Sequence, residues 1–253
     1  MAADSYLVGA YWGPRGEPVE VCAARFARQL AMFSGIDPLL AKWFKQGRSR
    51  TAALKHQIDP SVDALRELLL AGVHRKDFPP REVITELGYS AGMWNGQDAE
   101  AALSVGCGIT TSRVSNVVVL DLPKPEGAGL PLYRRDAAMA VIRAVVEAWQ
   151  PTWCTWISDR LRDAQGWDLD DVVAGWATYV AQPRGTRLDR LPPGVAAEDF
   201  ADGLLLIADG DANTVSENTV KAIREALGDA IHPDMTSPTE PPSKKPENGL
   251  NFW

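Results

Sequence analysis

Val8 to Leu30 reads VGAYWGPRGEPVEVCAARFARQL. A short apolar run ends in Tyr11-Trp12-Gly13-Pro14-Arg15, passes through a second turn, and becomes a helix-like stretch from Pro18. In a nucleotide-binding fold, this first strand-to-helix passage is where glycine amides and a helix N-terminus meet phosphate. Here a bulky aromatic and two prolines occupy it. The passage therefore reads as scaffold: Trp12 packs under the helix, Gly13 allows a tight turn and Pro14 stiffens it.

Outward from this point, Ser5 to Trp12 forms a strand and Pro18 to Phe33 a helix, with Val21, Phe26, Leu30 and Phe33 on one side and Gly35 ending it. Pro38 to Gln46 and Val62 to Ala71 read as helical, closed by Gly47 and Gly72, and Pro80 starts a short helix that stops at Gly88. Tyr89 to Trp94, Ala101 to Ile109 and Asn116 to Leu122 read as strands of a meander that turns at Asn95-Gly96. Arg135 to Gln150 is the strongest helix, apolar at Met139, Ile142, Val146 and Trp149 and ended by Pro151.

Two strands follow, Thr152 to Ile157 and Trp176 to Val180, joined by a polar link with Asp159, Asp163, Asp168, Asp170 and Asp171. Leu204 to Ala208 reads as a strand buried on both faces near the sheet centre. Thr214-Val215-Ser216-Glu217 is a capping box that opens a last helix to about Leu227. The expected architecture is α+β: a mixed, mainly antiparallel twisted sheet of about six to seven strands packed by helices. Residues 1–232 form its single domain, and 233–253 a flexible tail rich in Pro, Ser and Lys.

The chain has 253 residues, 45% of them hydrophobic and 23% charged, which suits an ordinary globular protein with a substantial core. No apolar run approaches the ~18 residues of a membrane span, and the N-terminus lacks the basic start of a signal peptide, so the expected compartment is the cytoplasm. Cys22, Cys107 and Cys154 are odd in number and widely spaced, the pattern of reduced, buried thiols. A net charge of −7 argues against direct nucleic-acid binding. The charge is uneven: Lys42 to Lys55 holds five basic residues and no acidic one, and Glu198 to Glu217 six acidic residues and no basic one. Such runs are solvated loops and helix faces, or, for the acidic one, a docking surface.

No reaction emerges from the motifs. His56, His74 and His232 are unpaired at ligand spacing, and GxSxG, GxxxxGK[ST] and HExxH are missing. Gly106-Cys107-Gly108 lacks the third glycine of a dinucleotide site. Asp209-Gly210-Asp211-Ala212-Asn213 starts like a calcium loop, but Thr214 and Val220 stand where the sharp-turn glycine and the bidentate glutamate belong. Glu198, Asp199 and Asp202 fall in an expected loop with no aromatic pocket. The expectation is no catalytic residue, no cofactor and no metal. Nine tryptophans are the conspicuous feature, most of them core. Trp153 and Trp156 are three apart and face opposite ways in a strand, which makes one of them a candidate for a non-core surface.

Four stretches in this order are similar to the immunity protein 52 family: Tyr11-Trp12-Gly13 with Arg15, Trp94-Asn95-Gly96, Gly175-Trp176 with Tyr179, and GLLLIADGDANTVSENTVKAIREAL from Gly203 to Leu227. The resemblance runs from about Tyr6 to Leu227. It implies an α+β protein of bacterial polymorphic-toxin loci that binds and blocks a cognate secreted toxin, a nuclease with a restriction-endonuclease-like fold, and that carries no catalytic residues. The motif tryptophans and glycines then read as structural. Candidate toxin contacts are Asp168, Asp170, Asp171, Glu198, Asp199, Asp202, Asp209 and Asp211, with Trp94 and Trp156 as aromatic candidates. The competing readings are a hydrolase with dispersed catalytic residues and an adaptor subunit with a permanent partner.

Overall fold

Strand β1, Tyr6–Trp12, lies at the centre of the sheet. It pairs with β5, Asn116–Asp121, on one side and β6, Trp153–Ser158, on the other. Beyond β5 come β4 (Ala102–Cys107), β3 (Tyr89–Trp94) and β2 (Phe44–Lys45). Beyond β6 come β7 (Ala177–Ala181), β9 (Gly203–Ala208) and β8 (Val195–Phe200). The computed structural model describes residues 4–166, 173–181 and 188–228. The expected tail and Asp168, Asp170 and Asp171 lie outside the described residues.

Among the described residues the sheet has nine strands where six to seven are expected, and every pairing is antiparallel, so it is not mixed. The two additional strands are its two edges. β2 has only two residues, and β8 reads VAAEDF, short of β-branched residues and carrying two carboxylates. Shortness and charge both hinder a further chain from adding to an edge, and both also hide a strand from periodicity. Glu198 and Asp199 therefore sit in a strand, not a loop. Leu204 to Ala208 is buried as expected but is next to the edge, not central.

The helices are α1 (Val19–Ile36), α2 (Arg50–Ala53), α3 (Val62–Ala71), α4 (Arg135–Trp149), α5 (Asp159–Asp163) and α6 (Glu217–Leu227). α1 runs through Gly35, and Val21 is 40% exposed while Phe26, Leu30 and Phe33 are buried. Pro38 to Gln46 is not a helix: Asp37 caps one 3₁₀ turn, after which Lys45 N–H donates to the His56 carbonyl as the chain enters β2. Pro80 starts no helix either, because residues 75–83 fold back on themselves, with Lys76 N–H on the Glu82 carbonyl, and only Thr85–Leu87 forms a 3₁₀ turn. The cap of α6 is Ser216, which accepts from Thr219 N–H, whereas the Thr214 hydroxyl accepts from Asp211 N–H.

Side chains alternate across each strand. Tyr6, Val8, Ala10 and Trp12 of β1 point to a first face that α1, α3 and α4 cover, and all four are buried. Trp12 stacks on Trp149 at 5.6 Å, and Phe26 of α1 meets the same indole at 6.1 Å. A second aromatic row runs Tyr6, Tyr133, Trp156, Trp176 through edge-on contacts of 5.2, 5.5 and 6.0 Å. Rings in this geometry add about 0.5–1.5 kcal/mol per pair beyond their burial.

Arg15 explains why the opening turn takes the sequence it does. Its guanidinium lies 4.9 Å over the Trp12 ring and donates to the carbonyls of Trp149 at 2.6 Å and Gln150 at 3.1 Å, at the C-terminal end of α4. Arg25 of α1 donates to the Ala148 carbonyl at 2.9 Å, and Glu17 bridges both arginines. Two cations thus meet the carbonyls that a helix end leaves unpaired, where the helix dipole is negative. Arg15→Met is expected to lower unfolding free energy by about 1.5–3 kcal/mol, the range for hydrogen bonds to charged groups, with Arg15→Lys recovering only part. Urea titration at constant slope checks this, and a loss under 0.5 kcal/mol would show that water replaces the cap.

Gly175 has a different constraint. A Cβ there would lie 2.0 Å from the Trp156 carbonyl oxygen and 2.5 Å from Thr155 Oγ1, both in the strand it crosses. Gly175→Ala should therefore destabilise by about 1–3 kcal/mol through overpacking, visible as a lowered melting temperature with an unchanged heat-capacity step.

Candidate functional site

The charged and polar groups of the described residues do not converge as catalytic machinery does. His56 and His74 are exposed and lie on separate segments, and no three His, Cys, Asp or Glu among the described residues are placed to hold a metal ion. Cys22, Cys107 and Cys154 are free and buried, and burial pushes the Cys154 thiol up, away from the reactive thiolate. Gly106 belongs to β4 and Gly108 follows it with φ +71°, closing against the Glu17 carbonyl and the Tyr89 ring.

The acidic run does not form one surface. Glu198 points to the first face and pairs with Arg143 of α4 at 2.7 Å. Asp199 is its neighbour in β8 and points the other way. Asp202 accepts from the Tyr179 hydroxyl at 2.6 Å, and burial followed by that carboxylate drives the phenol above its ordinary value. Asp209 and Asp211 are exposed in the turn that leads to α6. Of the aromatic candidates, Trp94 is half-buried beside Phe44, with Arg50 6.0 Å over its ring. Trp156 is fully buried and Trp153 is 7% exposed, so neither member of that pair reaches the surface. They do face opposite ways, but the sheet is covered on both sides at β6.

That cover stops partway across. On the second face, Trp153, Thr155 and Ile157 of β6, Thr178 and Val180 of β7, and Leu204 and Leu206 of β9 are all buried. α4 occupies the first face here, with Arg143 over Phe200 at 4.7 Å. The second face is thereby left to α6, whose Val220, Ile223 and Leu227 are buried, and to α5, tied to α6 by Arg224 on the Gln165 carbonyl and Arg160 on the Val215 carbonyl.

From β1 to β3 no described element covers the second face, although Gly9 is buried beneath the Tyr11 ring. Leu7 and Tyr11 of β1 and Val117 and Val119 of β5 are half-buried, and Ser104 of β4 and Gly92 of β3 are exposed. The strand register places Gly92, Ser104, Val119 and Gly9 side by side. Tyr11 stacks on Trp153 at 4.6 Å and marks where the cover begins. The sequence hid this surface because β5 reads VVVL, an unbroken apolar run that signals burial on both faces.

One end of the open face is acidic. Asp121 ends β5 beside Ala102 and Leu7. Partial loss of water, then the charge of Asp159, push its carboxyl above the ordinary value. At the same end of the sheet, next to the first-face residue Tyr6, the residues that follow line a cavity of about 620 Å³ with Asp4, Asp98, Glu100 and Glu126 on its walls and Lys124 as the single cation among the described lining residues. At the opposite end of β4 a turn presents Phe78, 81% exposed.

A helix-backed antiparallel sheet with half of one face left open defines the class, α+β. Within that class the chain belongs to the family described as Immunity protein 52, whose model matches residues 4–229. Among solved structures the chain resembles the Pseudomonas aeruginosa T6SS protein PA0821, with 13% identity and a TM-score of 0.50 over 91% of this chain and 74% of that one. At that identity the likeness is one of fold. No curated protein matches the chain.

Because the folded state raises the Asp121 pKa, it favours the protonated acid, and the ionised carboxylate opposes folding at neutral pH. Asp121→Asn is expected to raise the melting temperature at pH 7, with the gain fading as the pH falls towards the ordinary carboxyl value of 3.8. Thermal melts of both proteins across that range check the sign. A gain that persists undiminished at low pH would show that the carboxyl charge is not its source.

Proposed function

We propose that the chain is the immunity partner of a bacterial toxin, which it binds stoichiometrically and holds inactive, and that the toxin is a nuclease. The family match over residues 4–229 carries this reading. The T6SS protein of similar fold supports delivery of the toxin by type VI secretion. The net charge of −7 and the acidic end of the open face support a nuclease target. A surface that grips phosphate is basic, and an acidic protein competes with nucleic acid for it while steering rapid association. A nuclease acts where nucleic acid is, so this reading places the chain in the cytoplasm and assigns it no reaction of its own.

Protection against a catalytic toxin requires affinity in the nanomolar to picomolar range, about −12 to −16 kcal/mol. Co-expression with the toxin encoded in the adjacent reading frame is expected to restore growth and to yield a complex that survives gel filtration. Rescue without any complex, with the toxin or its product chemically altered by catalytic amounts of this chain, would replace the inhibitor by an enzyme. A neighbouring frame that encodes a metabolic protein would remove the toxin altogether.

A further inference from the structure

We propose that the open half of the second face is the surface on which the toxin docks, and that a lysine- or arginine-bearing element of the toxin occupies it. The proposal rests on the immunity reading above and assigns it a place and a chemistry.

An antiparallel sheet with one solvated face alternates apolar residues inward with polar residues outward. Here Leu7, Tyr11, Val117 and Val119 point outward, and across β3, β4, β5 and β1 the only charged residue on that face is Asp121, at its end. Val117 and Val119 stay outside the hydrophobic cluster that holds the rest of the sheet together. An apolar floor without charge, bordered by carboxylates, is the anatomy of a protein interface. The floor is also low. Gly92 and Ser104 carry little or no side chain, and a Cβ added at Gly92 would meet nothing within 4 Å, so a convex element can approach the backbone closely.

The charges select the occupant. Lysine and arginine have long apolar stems and cationic heads. Stems laid over Val117 and Val119 bring the heads to Asp121, and at the same end of the sheet Glu100 and Glu126 have no ion-pair partner among the described residues. Asp121, a carboxyl that has lost part of its water and has the charge of Asp159 nearby, gains when a cation arrives. A second copy of this chain fits the floor poorly, since it brings another net charge of −7.

The test uses the full chain and a catalytically inactivated form of the toxin from the adjacent reading frame. Gly92→Arg and Val119→Arg add bulk and like charge to the floor, and Asp121→Lys reverses the rim. Each is expected to weaken binding by thirtyfold or more, on the order of an interface hot spot, while the melting temperature stays within a few degrees of the parent. Phe78→Ala and the double variant Asp209→Lys, Asp211→Lys should bind as the parent does. Ser104→Cys supplies a direct probe, because the three native cysteines are buried. Its thiol should label rapidly in the free protein and at least about tenfold more slowly in the complex.

Parent-like binding by both Gly92→Arg and Val119→Arg overturns the proposal while leaving the immunity reading intact. Loss of binding confined to Phe78→Ala, or to the Asp209 and Asp211 pair, overturns it equally and moves the interface there. Protection of Ser104→Cys in the free chain also overturns it. Protection lifted by dilution would name a second copy as the occupant, and protection lifted by deleting residues 229–253 would name the chain's own C-terminal segment. A parent protein that binds no toxin removes the immunity reading and this surface with it.

Discussion

The end of α4 is held by two guanidinium groups, and the helix layer depends on that arrangement. Arg15 and Arg25 reach three successive carbonyls, Ala148, Trp149 and Gln150, that no helical N–H can satisfy. Arg15 comes from the turn after β1 and Arg25 from α1, so one cluster fixes a strand end and two helices together. Gln150 completes the stop in the left-handed region at φ 49°. Trp149 is pinned at the same place, its ring on Trp12 and its indole N–H on the buried Gln29 side chain at 2.6 Å. Without the cations, the carbonyls would face an apolar, partly buried junction, a loss that packing alone does not replace.

Fixing α4 and α1 on the first face decides how the second face is used. α4 reaches from Trp12 to Phe200, across the middle of the sheet and out to its β8 edge. α5 and α6 are left for the other side, and they are too short to cover nine strands. The covered half of that face is packed with Trp153, Ile157 and Leu206, and the open half begins at Tyr11. The division is a matter of element length: α6 has 11 residues and α5 has five, about 16 Å and 8 Å at the rise of an α-helix.

Much of this was legible in the sequence. β1, β3, α3 and α4 fall where their apolar periods place them, and the Trp12-Gly13 turn is the scaffold it reads as. Asn95 makes the expected turn with its own side chain, accepting from Gln97 and Ala101 N–H. The missing pieces share a physical cause. β2 and β8 are edges, and an edge strand needs neither length nor alternation. Pro38 to Gln46 has helical composition, but Asp37 and the pairing of Phe44 with Trp94 draw the chain into the sheet instead. The acidic candidates do not share one surface for a related reason. Carboxylates close in sequence, such as Glu198 and Asp199, alternate to opposite faces of a strand, whereas Asp4, Asp98 and Glu126 are far apart in sequence and line one cavity at an end of the sheet. Parity alone makes Trp156 a surface candidate, and parity says which side a residue faces, not whether that side is covered.

The alternation of β3, β4 and β5 has a further consequence for divergence among relatives. Met93, Leu103 and Val118 belong to the core, while their neighbours Gly92, Ser104 and Val119 face outward. Gly92, Ser104 and Val119 can therefore change without altering a core contact, and Gly92 has room for side chains it does not have. On the docking surface proposed above, a lineage that drifts at these positions would keep its fold and change what it recognises. One scaffold can in this way follow a series of antagonists, each substitution tested against the partner and not against stability.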